Sequence, residues 1–302
     1  MTKVAAVVEQ CSRKWPTQGT EARRLFHGRG QSYPGLEHLT VTAWPPYIQI
    51  STYEDDAPLV KDLIGGLNFE LSGVKGIFVQ ERSGRTTTSR VVSGEVPQKI
   101  IVTEAGLKYE IRPLKNQNAG LFLDMGHVRQ DLATLVEGKH VLNLFAYTCA
   151  FSVSALHHGA ASVVNIDMSR AALEIGALNH RLNGHDLRRV RMLPHNIFKS
   201  WWKLRQLGPY DVMIIDPPAK QKGSFVAEKS YGQILKRLPE LVAPGAIVVA
   251  SLNSPFLGGE FLHKQISRWV PDCPGVSTYP LHPDFPDACP DRALKVMKFE
   301  YR

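Results

Sequence analysis

Three short stretches carry residues whose types and spacing could do chemistry. Asp167 closes the apolar run "SVVNID", Asp216 closes "DVMIID" and is followed at once by Pro217 and Pro218, and "VLNLFAYTCAF" (141–151) runs from apolar residues into a turn without a glycine. An acid about 20 residues beyond the first strand-to-helix turn of a parallel sheet is a ribose signal, because a carboxylate accepts hydrogen bonds from both hydroxyls. The competing reading of Asp167 is a cap for the helix that begins near Ser169. The two prolines fix the backbone and leave two carbonyls without competing local N–H donors, so that with the Asp216 carboxylate they make a rigid cluster of acceptors. Such a cluster suits holding a nitrogen of a planar base in line with an electrophile, where geometry rather than acid–base chemistry supplies most of the rate. The competing reading here is a strand-ending Asp-Pro turn.

A dinucleotide needs G-x-G-x-x-G, because its pyrophosphate must approach the backbone and a helix N-terminus. "FAYTCAF" has no glycine, which counts against an NAD or FAD enzyme. A cofactor without phosphates, such as S-adenosylmethionine, asks less. Ala146, Cys149 and Ala150 leave room, and Tyr147 and Thr148 offer polar groups.

The elements that must position these residues follow from periodicity. From about residue 140, apolar runs at "HVLNLFA", "SVVNID", "VRML", "DVMIID" and "AIVVASL" alternate with helical stretches at 151–158, 170–183, 197–206 and 226–242. That alternation is the mark of βαβ units and a parallel sheet, so the fold class is α/β. "GVSTYPL" and "ALKVMKFEYR" read as an antiparallel pair on its edge. Residues 34–112 differ, with strand-like "HLTVTAWPPYIQISTY", "GIFVQER" and "KIIVTEAGLKYEIRPL" around the short helix "PLVKDLIGGL" and turns at Pro45-Pro46 and Gly106. The expected division is a basic segment 1–33, a small α+β substrate domain 34–115, and a cofactor domain 116–302 entered through "KNQNAGLFLDMGHVRQDLATLVEGK".

Composition sets outer limits. The 302 residues, 43% hydrophobic and 21% charged, suit a globular protein with a sizeable core. No apolar run reaches the roughly 20 residues of a membrane span, and the N-terminus has no secretory pattern, so a cytoplasmic protein off the membrane is expected. Four cysteines without C-x-x-C or Cys/His spacing give no metal site and read as free thiols. The excess of 36 Lys and Arg over 28 Asp and Glu, a net charge of +8, is compatible with a nucleic-acid partner.

At these residues the sequence resembles the class I S-adenosylmethionine-dependent methyltransferases, and among them the large-subunit ribosomal RNA methyltransferases with RlmI-like and RlmK-like members. The carriers are "YPGLEHLTV", "GLFLDMGHVR", "VLNLFAYTCAFSVSALHHGAASVVNIDMS", "LNG" at 182–184, and "DPPA" with Lys220 and Lys222, covering the chain from about residue 30 onward. The resemblance implies a Rossmann-like sheet and S-adenosylmethionine as cofactor. It places Asp124, Arg129, Asn143, Phe145, Tyr147, Thr148, Asp167, Met168, Asn196, Ile197 and Asp216 around that cofactor. Asp216, Pro217, Pro218 and Lys220 form the implied catalytic set, facing the transferred methyl. The N-terminal PUA module of RlmI-like members is expected to be missing.

Three departures stand out. The family turn F-S-Y-T-G-G-F has Cys149 and Ala150 for its two glycines, and the joint F-L-D-Q-R-x-x-R has Met125 and Gly126 for Q-R. Asn196 stands where the family has an Asp that meets the adenine amine; its side-chain oxygen still accepts that bond. The added Cβ atoms at 149 and 150 are expected to crowd the methionine end, which bears on affinity more than on fold.

Methylating carbon 5 of a pyrimidine needs a thiolate that first adds to the ring. RlmI-like members place that cysteine after the fifth strand, where this chain has Leu252, Asn253 and Ser254. A ring nitrogen carries its own lone pair, so the reading leans to nitrogen without a covalent intermediate. For RNA, Arg13, Lys14, Arg23, Arg24 and Arg29 with Trp15 and Phe26 suit phosphate contacts and stacking, or equally a solvated basic face. Lys220, Lys222, Lys229, Lys236 and Arg237 extend that surface on the same reading. Three functions stay open: an RNA methyltransferase, with ribosomal RNA the expected substrate; a methyltransferase of a small molecule or protein; and a non-catalytic RNA-binding relative. The oligomeric state is open, with a homodimer as the option considered.

Overall fold

The computed structural model describes residues 2–16, 19–83, 86–115, 118–218, 220–221, 225–271, 273 and 275–302. The chain divides into two compact units, Met1–Gly126 with His282–Ala288, and His127–Leu281 with Cys289–Arg302.

In the first unit α1 (Lys3–Lys14) precedes β1 (Arg23–His27), β2 (Leu39–Trp44), β3 (Tyr47–Thr52), α2 (Ala57–Glu70), β4 (Gly76–Glu81) and β5 (Thr88–Gly94). The strands form one sheet in the order β1-β2-β3-β4-β5, and β6 (Ile100–Glu104) pairs with β7 (Leu107–Ile111) as a separate hairpin. Alternation decides the faces: Leu39, Val41, Ala43, Ile48, Ile50, Ile77 and Val79 point into one core with Val7, Val8 and Cys11 of α1 and Val60, Leu63 and Leu67 of α2. Asp56 caps α2 by accepting the Leu59 N–H at 3.2 Å. A Cβ at Gly66 would come within 2.7 Å of Val8 Cγ2, so the glycine lets the two helices meet.

The expected boundary at residue 33 is not where the chain divides. Helix α1 and strand β1 supply part of this core, and Trp15 and Phe26 are buried in it. The reason is amphipathicity: Val7, Val8 and Cys11 put three apolar groups on one side of α1. Residues 282–288 also belong to this unit, where Asp284 holds Lys14 at 2.9 Å and Arg23 at 2.7 Å.

Helix α3 (Gly126–Ala133) leads the chain into the second unit. There β8 (His140–Leu144), α4 (Ala150–His157), β9 (Ser162–Ile166), α5 (Arg170–Leu182), β10 (Val190–Leu193), α6 (Trp201–Leu207) and β11 (Tyr210–Ile215) follow in alternation. The ribbon β12 (Lys220–Gln221) and β13 (Phe225–Val226) comes next, then α7 (Ala227–Leu235), α8 (Leu238–Leu241), β14 (Val242–Leu252), α9 (Gly259–Trp269), β15 (Ser277–Thr278) and β16 (Lys295–Tyr301). The sheet order is β10-β9-β8-β11-β14-β16-β15, with β10 through β14 parallel and the last two strands antiparallel. The α/β class and the antiparallel edge are as expected.

Two helices are broken where one was expected. The stretch 226–242 splits because Pro239 has no N–H to bond the Leu235 carbonyl, so α7 stops and α8 starts afresh. The stretch 197–206 opens as a 3-10 turn, Ile197–Lys199, before α6. Strand order reverses between β8 and β11, which makes the carboxyl ends of those strands the switch point where a crevice opens in such sheets.

Candidate functional site

The turn after β8 reaches its shape without glycine. Phe145, Tyr147 and Cys149 take φ of 58°, 46° and 66°, a left-handed conformation costing about 1 kcal/mol or more for each residue with a Cβ. Hydrogen bonds hold it there. Ala146 N–H donates to Ile166 O at 3.1 Å, Cys149 N–H to Ala146 O at 2.7 Å, and Asn179 Nδ2 to Thr148 O at 3.0 Å. Ser152 Oγ donates to Cys149 O at 3.1 Å. The Phe145 ring meets Phe225 edge-on with centroids 5.3 Å apart. Thr148 is buried, and Tyr147 is half-buried with its phenol pushed up to about 12, first by burial and then by the Asp167 charge.

The Cys149 side chain lies behind this turn. It is wholly buried with Ala146, Leu173 and Met192, and a Cβ on Gly176 of α5 would overlap its Sγ. Glycine at 176 thus accommodates the Cys149 side chain. Burial, with the Asp167 charge, also pushes the Cys149 thiol far up, so it is no ready thiolate.

Asp167, just past β9, has both carboxylate oxygens in use. Oδ2 accepts the Tyr147 N–H at 2.9 Å and Oδ1 accepts the Ser169 N–H at 2.7 Å. The cap of α5 is Ser169, whose hydroxyl accepts from Ala172 N–H at 3.2 Å, so capping does not explain Asp167. Each Asp167 oxygen keeps a second lone pair for a hydroxyl. Met168 beside it is 47% exposed. Beyond β10, Asn196 Oδ1 already accepts the Phe198 N–H at 2.9 Å as the cap of the 3-10 turn, and Ile197 is buried in the main core.

Past β11, Asp216 Oδ1 accepts from Ser251 Oγ at 2.5 Å, while the buried Tyr231 hydroxyl donates to the Ser251 carbonyl. Burial, joined by the Asp216 charge, holds that phenol well above its ordinary value. Pro217 is buried and Pro218 exposed. Lys220 opens β12, but its side chain and the whole of Lys222 lie outside the described residues. The loop after β14 is pinned by the buried Lys295, whose Nζ donates to Ser254 O at 2.6 Å and Asp291 O at 2.8 Å.

The remaining residues singled out in the sequence stand elsewhere. Asn143 is buried within the sheet and donates to Asn165 Oδ1 at 3.0 Å. Arg129 on α3 is buried with its guanidinium 5.4 Å above the Phe151 ring. Asp124 sits half-buried in a 3-10 turn of the first unit. Of the basic groups, Arg13 pairs with Glu9, Lys14 and Arg23 with Asp284, and Trp15 gives its indole N–H to Ser72 O at 3.0 Å. Trp15 and Phe26 are therefore core residues, not stacking platforms. Lys236 lies 3.9 Å over the Trp269 ring and Arg237 holds Glu240 at 2.7 Å, both past the C-terminal end of α7.

Sequence reasoning passed over Ser251, Tyr231, Asn179 and Gly176. The lone serine in "AIVVASL" and Asn179 of "LNHRLN", a poor helix former inside α5, were the available signals. Among the described residues no group of three or more His, Cys, Asp or Glu could hold a metal ion.

A family profile described as S-adenosylmethionine-dependent methyltransferase matches residues 23–300. The ribosomal RNA large subunit methyltransferase I of Aeromonas hydrophila is 32% identical over 262 residues, which is 83% of this chain and 65% of that protein. The chain thus spans just under two thirds of that relative's length. Among solved structures, a protein from Streptococcus mutans assigned as a SAM-dependent methyltransferase superposes with a TM-score of 0.85 at 24% identity, covering 99% of this chain and 82% of that one. The tRNA m1G37 methyltransferase of M. jannaschii superposes at 0.61 with 17% identity, covering 89% and 77%. Both likenesses are of fold.

Proposed function

Because the chain belongs to the S-adenosylmethionine-dependent methyltransferase family, we propose that it methylates a base nitrogen of RNA, in ribosomal RNA of the large subunit, without a covalent cysteine intermediate. The observation that carries the reading is Asp167 closed onto the Tyr147 N–H, which joins a ribose acceptor to a turn with no phosphate cradle. The residues present fit the cofactor: Cys149 packs behind the turn against Gly176, so the crowding expected from its Cβ is directed away into α5.

When bound there, S-adenosylmethionine supplies a methyl group on a sulfonium sulfur. Asp167 would accept from the ribose hydroxyls, Asn196 would offer its remaining lone pair to the adenine amine, and Met168 would add an apolar contact beside them. Tyr147 and Thr148 would shape the methionine end, with Phe145 opening the turn that carries them. Asp216, oriented by Ser251, and the carbonyls of the Pro217-Pro218 run accept the N–H groups of the target base and fix its ring nitrogen. Lys220 follows them on the chain. No base is required to start, since the nitrogen attacks with its own lone pair.

Nitrogen is favoured because the loop after β14 offers Asn253 and Ser254 rather than a thiol, and the Cys149 thiol is buried behind the turn. RNA is favoured by the net charge of +8 and by the Aeromonas relative, whose name gives large-subunit ribosomal RNA. A cytoplasmic location goes with that substrate. The test is transfer of a radiolabelled methyl group to large-subunit ribosomal RNA isolated from cells lacking this protein. Label in a nucleoside methylated on nitrogen is expected; label in no RNA from a protein that binds the cofactor would turn the search to small molecules or proteins.

A further inference from the structure

We infer that Arg24, Arg29 and Arg82, gathered about Tyr53 at one end of the first unit's sheet, seat a phosphodiester of the RNA, an inference that rests on the RNA reading above. The strand register brings them together. Thr52 of β3 pairs with Glu81 of β4, so Tyr53 and Arg82 follow side by side, and the Arg82 N–H donates to Thr52 O at 2.8 Å. β1 ends at His27, opposite Thr40 of β2, and the turn Gly28–Gly30 presents Arg29 at the same end.

One ring organises two of the guanidiniums. Arg29, exposed, lies 3.8 Å over the Tyr53 ring, and Arg82 lies 5.5 Å from it while donating to Tyr53 Oη at 3.1 Å. Arg82 is held further by Nε donating to Gln80 Oε1 at 2.7 Å. Arg24 stands 5.0 Å over the Phe285 ring, and its buried Nε has no hydrogen-bond partner. Stacking holds Arg24 and Arg29 by their faces and leaves their N–H edges for an acceptor, the arrangement that suits phosphate oxygens, while Arg82, already bonded to Gln80 and Tyr53, adds its charge.

The local charge balance asks for an anion. Burial lowers Arg24 to about 10, and the Arg82 and Arg29 charges act in the same direction against Tyr53 and Asp124. Two like charges and one acid thus bear on a guanidinium with an orphaned donor. A phosphodiester supplies the missing acceptor and the missing charge together. The residues lie on the sheet face opposite α2, whose Val60, Leu63 and Leu67 fill the apolar side.

The test is fluorescence anisotropy of a labelled single-stranded RNA oligonucleotide titrated with the intact protein across a range of salt. Losing one phosphate contact lowers the slope of log K against log salt by about 0.7 for a single strand. Arg29→Ala is expected to lower the slope by that amount and Arg29→Glu to lower it at least as far. Arg29→Lys, which keeps the charge, is expected to keep the wild-type slope, as is Lys61→Ala on the exposed side of α2. S-adenosylmethionine binding should be the same in all four. Wild-type slopes in both Arg29→Ala and Arg29→Glu would overturn the inference while leaving the RNA reading intact; no RNA binding by the wild type would overturn the RNA reading itself.

Discussion

The Tyr147 backbone N–H donates to Asp167 Oδ2 at 2.9 Å, so the turn after β8 and the acid after β9 are one structure. The turn's left-handed residues and the carboxylate's position depend on each other.

Cys149 and Gly176 are coupled through space. Gly176→Ala puts a Cβ into Cys149 Sγ and is expected to destabilise by roughly 2 kcal/mol, in the range of overpacked cores. Cys149→Gly relieves the left-handed strain but empties a buried site, costing about 1 kcal/mol. The double variant should be at least about 1 kcal/mol more stable than the sum of the two, as urea unfolding of all four proteins would measure. Additive losses would mean that the sulfur does not sit against α5.

Ser251 orients Asp216. Ser251→Ala is expected to cut kcat about tenfold, the loss of one bond to a charged group, and to leave the Kd for S-adenosylmethionine unchanged. An equal effect on both constants would place Asp216 in cofactor binding rather than in base positioning.

Nitrogen chemistry makes every cysteine dispensable. Cys289→Ser, in the loop that leads into β16, and Cys273→Ser should leave methyl transfer to RNA unchanged. Loss of transfer with retained cofactor binding in Cys289→Ser would instead point to a covalent step at carbon.

Acid should weaken the fold through buried histidines. Burial lowers His180 and His27 to about 3 from the ordinary 6.5, and His180 Nδ1 lies 3.0 Å from His185 Nδ1, a pair that cannot both carry the proton there. The unfolded chain therefore takes up these protons first. The stability they contribute is complete above pH 6.5, falls as pH drops below it, and levels off near the folded values. For His180 the loss is about 3 kcal/mol by pH 4.5 at about 1.4 kcal/mol per pH unit. His180→Asn should flatten the fall in Tm between pH 6.5 and 4.5 relative to its own value at neutral pH.

Much of the fold was legible because the second unit's strands are short apolar runs closed by Asp167 and Asp216, and its helices begin at marked residues such as Ser169. The break in α7–α8 was written in Pro239 but masked by the apolar residues around it. At the site, Asp167 and the Asp216-Pro-Pro run announced themselves by position. Ser251, Tyr231 and Gly176 did not, because each acts across the sheet or between helices, on partners tens of residues away. Trp15 and Phe26 misled for the opposite reason: set among arginines in sequence, they turn inward once α1 and β1 fold.

The most direct measurement is calorimetric titration of S-adenosylmethionine into the wild type and into Asp167→Ala. Micromolar binding by the wild type, weakened about a hundredfold or more in the variant by loss of charged hydrogen bonds, is the predicted result. No binding by the wild type, or the same affinity in both proteins, would contradict the assignment of this turn and acid to the cofactor.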